Sequence, residues 1–155
     1  MNLPMMIEDV RKREKYVAVV LTNKSFHDKC FIYLSGIRLL RKYFFKNGIS
    51  YVLMKKFNIK KFEEFIYDEN CYGLYIIGHG CRHGLKIDKN EMLYYCSFKD
   101  APKKDFVVQL HCNHGGGESL ADIIALNKDK SYVSDNYRYP WSNWIYFHRL
   151  LKSTK

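Results

Sequence analysis

The stretch QLHCNHGGG, Gln109 to Gly117, sets two histidines and a cysteine against three consecutive glycines, directly after the apolar run FVV. A thiol in that setting can ligate a soft metal together with the histidines, attack an electrophilic carbon, or fill a turn. A similar place lies upstream in YGLYIIGHG, where an apolar run ends on Gly78, His79 and Gly80. A cysteine nucleophile needs thiolate character, an imidazole to move protons, and N–H donors for a developing oxyanion. Cys112 and His79 supply the first two, and the backbones of Gly80 and Cys112 supply candidate donors. Glycine around both residues removes bulk where a substrate backbone must come close.

The elements that must position these residues follow from periodicity. KYVAVVLTN, Lys15 to Asn23, is a short β-branched run that reads as a buried strand. From His27 the spacing turns helical: Phe31, Leu34, Ile37, Arg38, Arg41 and Phe45 recur along one face, Cys30, Tyr33, Leu40 and Phe44 widen it, and Asn47-Gly48 stops the helix. Ile49 to Lys55 is a second strand, and Asn58 to Asp68 a second helix capped by Asn58. Tyr72 to Ile77 is the third strand. LKIDKNEMLYYCSF follows as an irregular or hairpin stretch turning at Asp88-Lys89-Asn90. Asp105 to Leu110 is the fourth strand, ESLADIIALNK a helix, SYVSD a short fifth strand, and WSNWIYFHRLLK a closing helix after Pro140.

Alternating strands and helices predict an α/β fold: a small doubly wound, mostly parallel five-stranded sheet with helices on both faces, in one domain over residues 1–155. An order of 2-1-3-4-5 puts the third and fourth strands side by side. His79 and Cys112 then meet at the carboxyl ends of the strands, where open sheets bind ligands. The helix opening near Glu118 would assist an anion there, although Glu118 itself opposes that effect.

The chain of 155 residues is 47% apolar and 16% aromatic, so it can bury a core. Its N-terminus, MNLPMMIEDVRKREKY, is charged where a secretion signal would be apolar, and no apolar run reaches bilayer-spanning length. A cytoplasmic setting with no membrane partner is therefore expected. Five scattered cysteines argue for free thiols over a disulfide framework. The formal charge is +10, yet the lysines are dispersed through KREK, KKFNIKK, KDAPKK and NKDK with acids between them. A solvated basic surface without a specific nucleic-acid partner is the expectation.

Two apolar strands ending in His-Gly and in Cys, each beside glycine, resemble the caspase-like cysteine peptidases, a group that includes caspases, metacaspases, legumain, gingipain, separase and CHAT domains. YGLYIIGHG matches the apolar-block-His-Gly signature at His79-Gly80, and FVVQLHCNHGG the apolar-block-Cys signature at Cys112. The resemblance extends from about Lys15 to Leu151. His111 and Asn113 flank the cysteine where caspases usually place Ala before it and Arg, Gln or Gly after it, which is nearer the divergent CHAT-like members. The resemblance implies an endopeptidase in which Cys112 attacks a peptide carbonyl, His79 protonates the leaving amine, and the N–H groups of Gly80 and Cys112 hold the oxyanion. It also implies a substrate pocket built from His111, Asn113 and the segment SYVSDNYRYPW. Asp135 in that segment would favour Arg or Lys before the scissile bond, whereas Arg138 would favour an acidic residue; the balance tips to Asp135. The partners implied are a protein or peptide substrate and an activating partner or self-association.

Two other readings compete. His79, His83, His111, Cys112 and His114 are zinc-type ligands, but no CxxC or HExxH spacing organises them. Adjacent His111 and Cys112 would also point to opposite faces of a strand. The expectation is no metal and no cofactor. A catalytically silent caspase-like interaction module is the other reading, against which both Cys112 and His79 stand. Cys30, Cys71 and Cys96 read as buried small residues and Cys81 as an accessory position. His27 and His148 have no partner motif. Trp141, Trp144, Tyr146 and Phe147 read as packing the last helix on the sheet.

Overall fold

A computed structural model of the chain describes residues 14–22, 36–134 and 139–154. The chain runs β1 (Tyr16–Leu21), α1 (Ile37–Lys46), β2 (Tyr51–Met54), α2 (Ile59–Tyr67), β3 (Cys71–Ile77), β4 (Gly80–Cys81), β5 (Gly84–Asp88) and β6 (Glu91–Tyr94). A 3₁₀ turn over Tyr95–Phe98 follows, then β7 (Phe106–Leu110), α3 (Leu120–Ile124), β8 (Tyr132–Val133) and α4 (Pro140–Ser153). Asp135, Arg138, Cys30 and the predicted start of the first helix from His27 lie outside the described residues.

The six residues of β1 are all apolar and all buried, as a strand covered on both faces requires. It lies inside a five-stranded sheet of order β2-β1-β3-β7-β8 in which every neighbouring pair is parallel. This is the doubly wound α/β fold that the alternation of elements predicts. Val17, Val19 and Leu21 project into one core with Leu40, Phe44, Tyr75, Leu110 and Phe147, beneath α1 and α4. Ala18 and Val20 project into the other with Phe62, Leu74, Val107 and Ile124, beneath α2 and α3. A residue such as Phe44 or Phe147, fully buried here, contributes roughly 2–3 kcal/mol of apolar burial.

Asn58 caps α2 by accepting the Lys61 N–H at 3.0 Å. Among the described residues β4, β5 and β6 form a separate antiparallel sheet, so the hairpin is inserted between the third and fourth parallel strands.

Five expectations are corrected. The buried stripe of α1 is Leu40 and Phe44, with Ile37 packed beside them, so Phe45 is 91% exposed and the arc holding Arg38 and Arg41 faces outward. The third helix spans only five residues. Ala125 leaves helical conformation to form a parallel bridge with Lys104, whose N–H and C=O bond Ile124 and Leu126. Cys96 is exposed on the 3₁₀ turn, while Cys71 is buried as expected. Trp141 and Trp144 are 61% and 46% exposed; Phe147 is the aromatic that α4 buries. The closing helix, expected to follow Pro140, begins with it as α4, where its missing N–H costs nothing.

Candidate functional site

The register of β3 on β7 pairs Ile77 with Leu110, the last residues of each strand. His79 and Cys112 each follow two residues later, so both belong to turns leaving the same sheet edge. His79 is exposed and Cys112 half-buried.

The His79 turn is held from below. Thr22, just past the end of β1, accepts the His79 N–H on Oγ1 at 3.1 Å. Gly78 between them has φ 152, and a Cβ there would lie 1.5 Å from that same oxygen, so only glycine fits. The His79 carbonyl accepts the Lys86 N–H at 3.0 Å. By the alternation of an antiparallel ladder, this makes Gly80 and Leu85 a pair without mutual hydrogen bonds. The Gly80 N–H is thereby directed away from β5.

The Cys112 turn is held by its two neighbours. Val107, Gln109 and His111 alternate onto the face covered by α2 and α3, and all three are fully buried. The His111 Nδ1–H donates to the Cys112 carbonyl at 2.9 Å, since a carbonyl can only accept, and Nε2 therefore accepts from the Tyr95 hydroxyl at 2.8 Å. Burial holds the His111 pKa down at about 4, against the pull of the Cys112 carbonyl. Burial also raises that of Tyr95 well above its ordinary value, so its proton stays in place. The Asn113 side-chain amide donates to the His111 carbonyl at 2.8 Å and to the Ser134 hydroxyl at 2.6 Å. The side chains of His111 and Asn113, expected in a substrate pocket, are thus engaged in buried hydrogen bonds that tie the loop to Tyr95 and Ser134.

Gln109 joins the two halves of this edge. Its amide donates to Asn113 Oδ1 at 2.9 Å, and its Oε1 accepts the N–H groups of Leu120 at 2.7 Å and Ala121 at 3.3 Å. The Asp122 N–H goes to Ser119 Oγ in a capping box. The helix start offered to an anion is therefore satisfied internally.

The hairpin and the glycine loop meet beside this edge. The Arg82 guanidinium donates to the Gly117 carbonyl and to Asp122, each at 3.1 Å, and the His83 Nδ1–H donates to the Gly116 carbonyl at 3.0 Å. The Cys81 thiol lies 3.6 Å from His83 Nδ1 and 3.7 Å from Nε2, against the ring and not along one N–H. A cleft of about 390 Å³ opens here between Gly80, His83, Lys86, Tyr94 and His114. Among the described residues no three His, Cys, Asp or Glu side chains gather into a metal site. Nor is any described helix long and apolar enough to cross a membrane.

Thr22, Tyr95, Gln109 and Ser134 carry no chemistry-bearing motif. Gln109 alone leaves a trace in the sequence, as an amide interrupting the apolar run FVVQL. No family model matches the chain, nor does any curated protein or solved structure. The fold itself defines a class: parallel, doubly wound α/β proteins, whose ligands bind beyond the carboxyl ends of the strands.

Proposed function

We propose that the chain is a cytoplasmic cysteine endopeptidase of the caspase-like kind, with Cys112 as nucleophile and His79 as proton carrier. The observation that carries this reading is the Ile77–Leu110 pairing, which brings the two strand-end turns together at one edge. The Cys112 thiolate attacks the peptide carbonyl carbon, and the carbonyl π electrons move to oxygen. The N–H groups of Gly80 and Cys112 stabilise that oxyanion. As the intermediate collapses, the C–N bond breaks and His79 gives its proton to the leaving amine. Water, deprotonated by His79, then cleaves the thioester to release the acid and restore the thiol. The exposure of His79, the Gly80 N–H directed away from β5 and the adjoining cleft suit this role. Asp135 is proposed as the residue that favours Arg or Lys before the scissile bond.

A second pair has its own supporting contact: Cys81 lies against His83. Brief iodoacetamide treatment of the native protein at neutral pH, followed by peptide mass spectrometry, separates the two. Fast labelling of Cys112 that slows in His79→Ala supports the proposal. Fast labelling of Cys81 that slows in His83→Ala moves the chemistry to the hairpin. An inert Cys112 refutes the proposed dyad.

A further inference from the structure

The sequence disperses its cations, but α1 gathers four of them. At about 100° per residue, Arg38, Arg41, Lys42 and Lys46 fall within one arc of the helix, opposite the buried Leu40. Phe45 stands among them, 91% exposed. The helix, IRLLRKYFFK, contains no carboxylate. Beside this arc runs a groove of about 1030 Å³. Its floor is formed by half-buried Ile49, Tyr51 and Leu151; among the described residues no Asp or Glu lines it, and Glu14 reaches only its edge, accepting the Ser50 hydroxyl at 3.5 Å. Its walls are tied together: Arg41 Nε donates to the Tyr51 hydroxyl at 3.0 Å, and Lys46 Nζ donates to the Thr154 carbonyl.

We infer that this groove docks a segment of a partner protein that carries carboxylates around an apolar side chain. The cationic rim selects an anionic partner, since like charges across an interface cost several kcal/mol while opposite ones steer association. That same rule disfavours a second copy of this chain laying the same arc against its twin. The apolar floor favours a peptide over the other polyanions. A phosphate backbone has no apolar group to place on Tyr51 and Leu151. An exposed phenylalanine between cations is likewise suited to a mixed acidic and apolar partner.

The groove flanks β2, an edge strand, at the end where that strand begins. His79 and Cys112 follow the opposite, carboxyl ends of β3 and β7. A docked partner would leave those residues accessible, and the inference does not depend on the peptidase reading.

The test is fluorescence anisotropy with a labelled short peptide of alternating Glu and Leu, titrated with the full chain at near-physiological salt. Saturable binding is expected, weakened about tenfold or more in Arg38→Glu/Lys42→Glu. Lys60→Glu/Lys89→Glu, the same charge change at two exposed sites elsewhere, should leave it within about twofold. Phe45→Ala, at a side chain almost wholly in solvent, should also weaken binding without threatening the fold. Equal losses in both charge-reversed variants would reduce the effect to net charge and overturn the inference. So would equal binding of an all-Glu peptide, or displacement of the peptide by a single-stranded oligonucleotide or phosphatidylserine vesicles at lower concentration than the unlabelled peptide itself.

Discussion

The Tyr95 hydroxyl and His111 Nε2 form a 2.8 Å hydrogen bond in which neither side chain has any contact with solvent. A protonated His111 could not accept that bond, and its charge would be buried near His79. Burial accordingly lowers the folded pKa to about 4 from the ordinary 6.5. The unfolded imidazole takes up its proton first as pH falls. Stability is therefore whole above pH 6.5 and lost progressively toward pH 4, by about 3 kcal/mol. Urea unfolding should show a midpoint that drops steeply across that window. A flat profile down to about pH 4.5 would mean that His111 is not held neutral. Asp122 acts at lower pH. Burial pushes its carboxyl up, but the Ser119 hydrogen bonds and Arg82 outweigh that and hold it below the usual range, so its contribution is lost only in stronger acid.

Lys104 is another buried titratable group, and its ammonium finishes a helix. Only 1% exposed, it donates to the Phe65 carbonyl at 3.0 Å and the Asp68 carbonyl at 2.7 Å, where α2 ends. Burial lowers its pKa, while the nearby Cys71 and Asp68 favour the charge. Lys104→Met keeps the volume but leaves those carbonyls without the donor, at about 2–3 kcal/mol. For a domain of this size, a melting temperature lower by about 5–10 °C is expected. An unchanged value would show that water or another donor replaces the amine.

The parallel strands were legible because a doubly buried strand announces itself: YVAVVL and LYII tolerate no polar residue. Strand order then brought the His79 and Cys112 turns together, since each residue follows two positions after the end of its apolar block. What was hidden depends on partners distant in sequence. The 104–125 bridge cuts α3 short, and only the folded chain shows that Ala125 has a partner there. The stripe on α1 is ambiguous in the sequence because both faces carry apolar residues, and only the packing of Leu40 and Phe44 fixes the rotation that leaves Phe45 outside. The same rotation assembles the cationic arc, which a count of lysines along the chain cannot reveal. The support of the His79 turn was equally silent, because a threonine after a strand reads as an ordinary turn former.

That threonine yields a positional test. Thr22→Val keeps the shape of the side chain but removes the acceptor for the His79 N–H. A stability cost of about 1 kcal/mol is expected. If Cys112 works with His79, its alkylation should also slow several-fold, because the imidazole loses its fixed approach. Thr22→Ser restores the hydroxyl and should restore the rate. A slowed Cys112 that Thr22→Ser fails to rescue would assign the effect to packing.

The thiols themselves provide an internal scale for any such measurement. Cys71 is buried, and desolvation pushes its pKa up to about 11, only partly offset by Lys104. Its thiolate fraction at neutral pH is correspondingly negligible, so it should stay unlabelled until the protein unfolds. Cys96, exposed on the 3₁₀ turn, should label at a rate unaffected by His79→Ala or Thr22→Val. A nucleophilic Cys112 must then exceed Cys96 despite being less accessible, an order that accessibility alone would reverse. Rates read by mass spectrometry over a short time course decide it. Cys112 faster than Cys96 requires local activation of the thiol. Cys96 faster than Cys112 means that exposure governs the reaction, and the strand-end cysteine is then a packing residue.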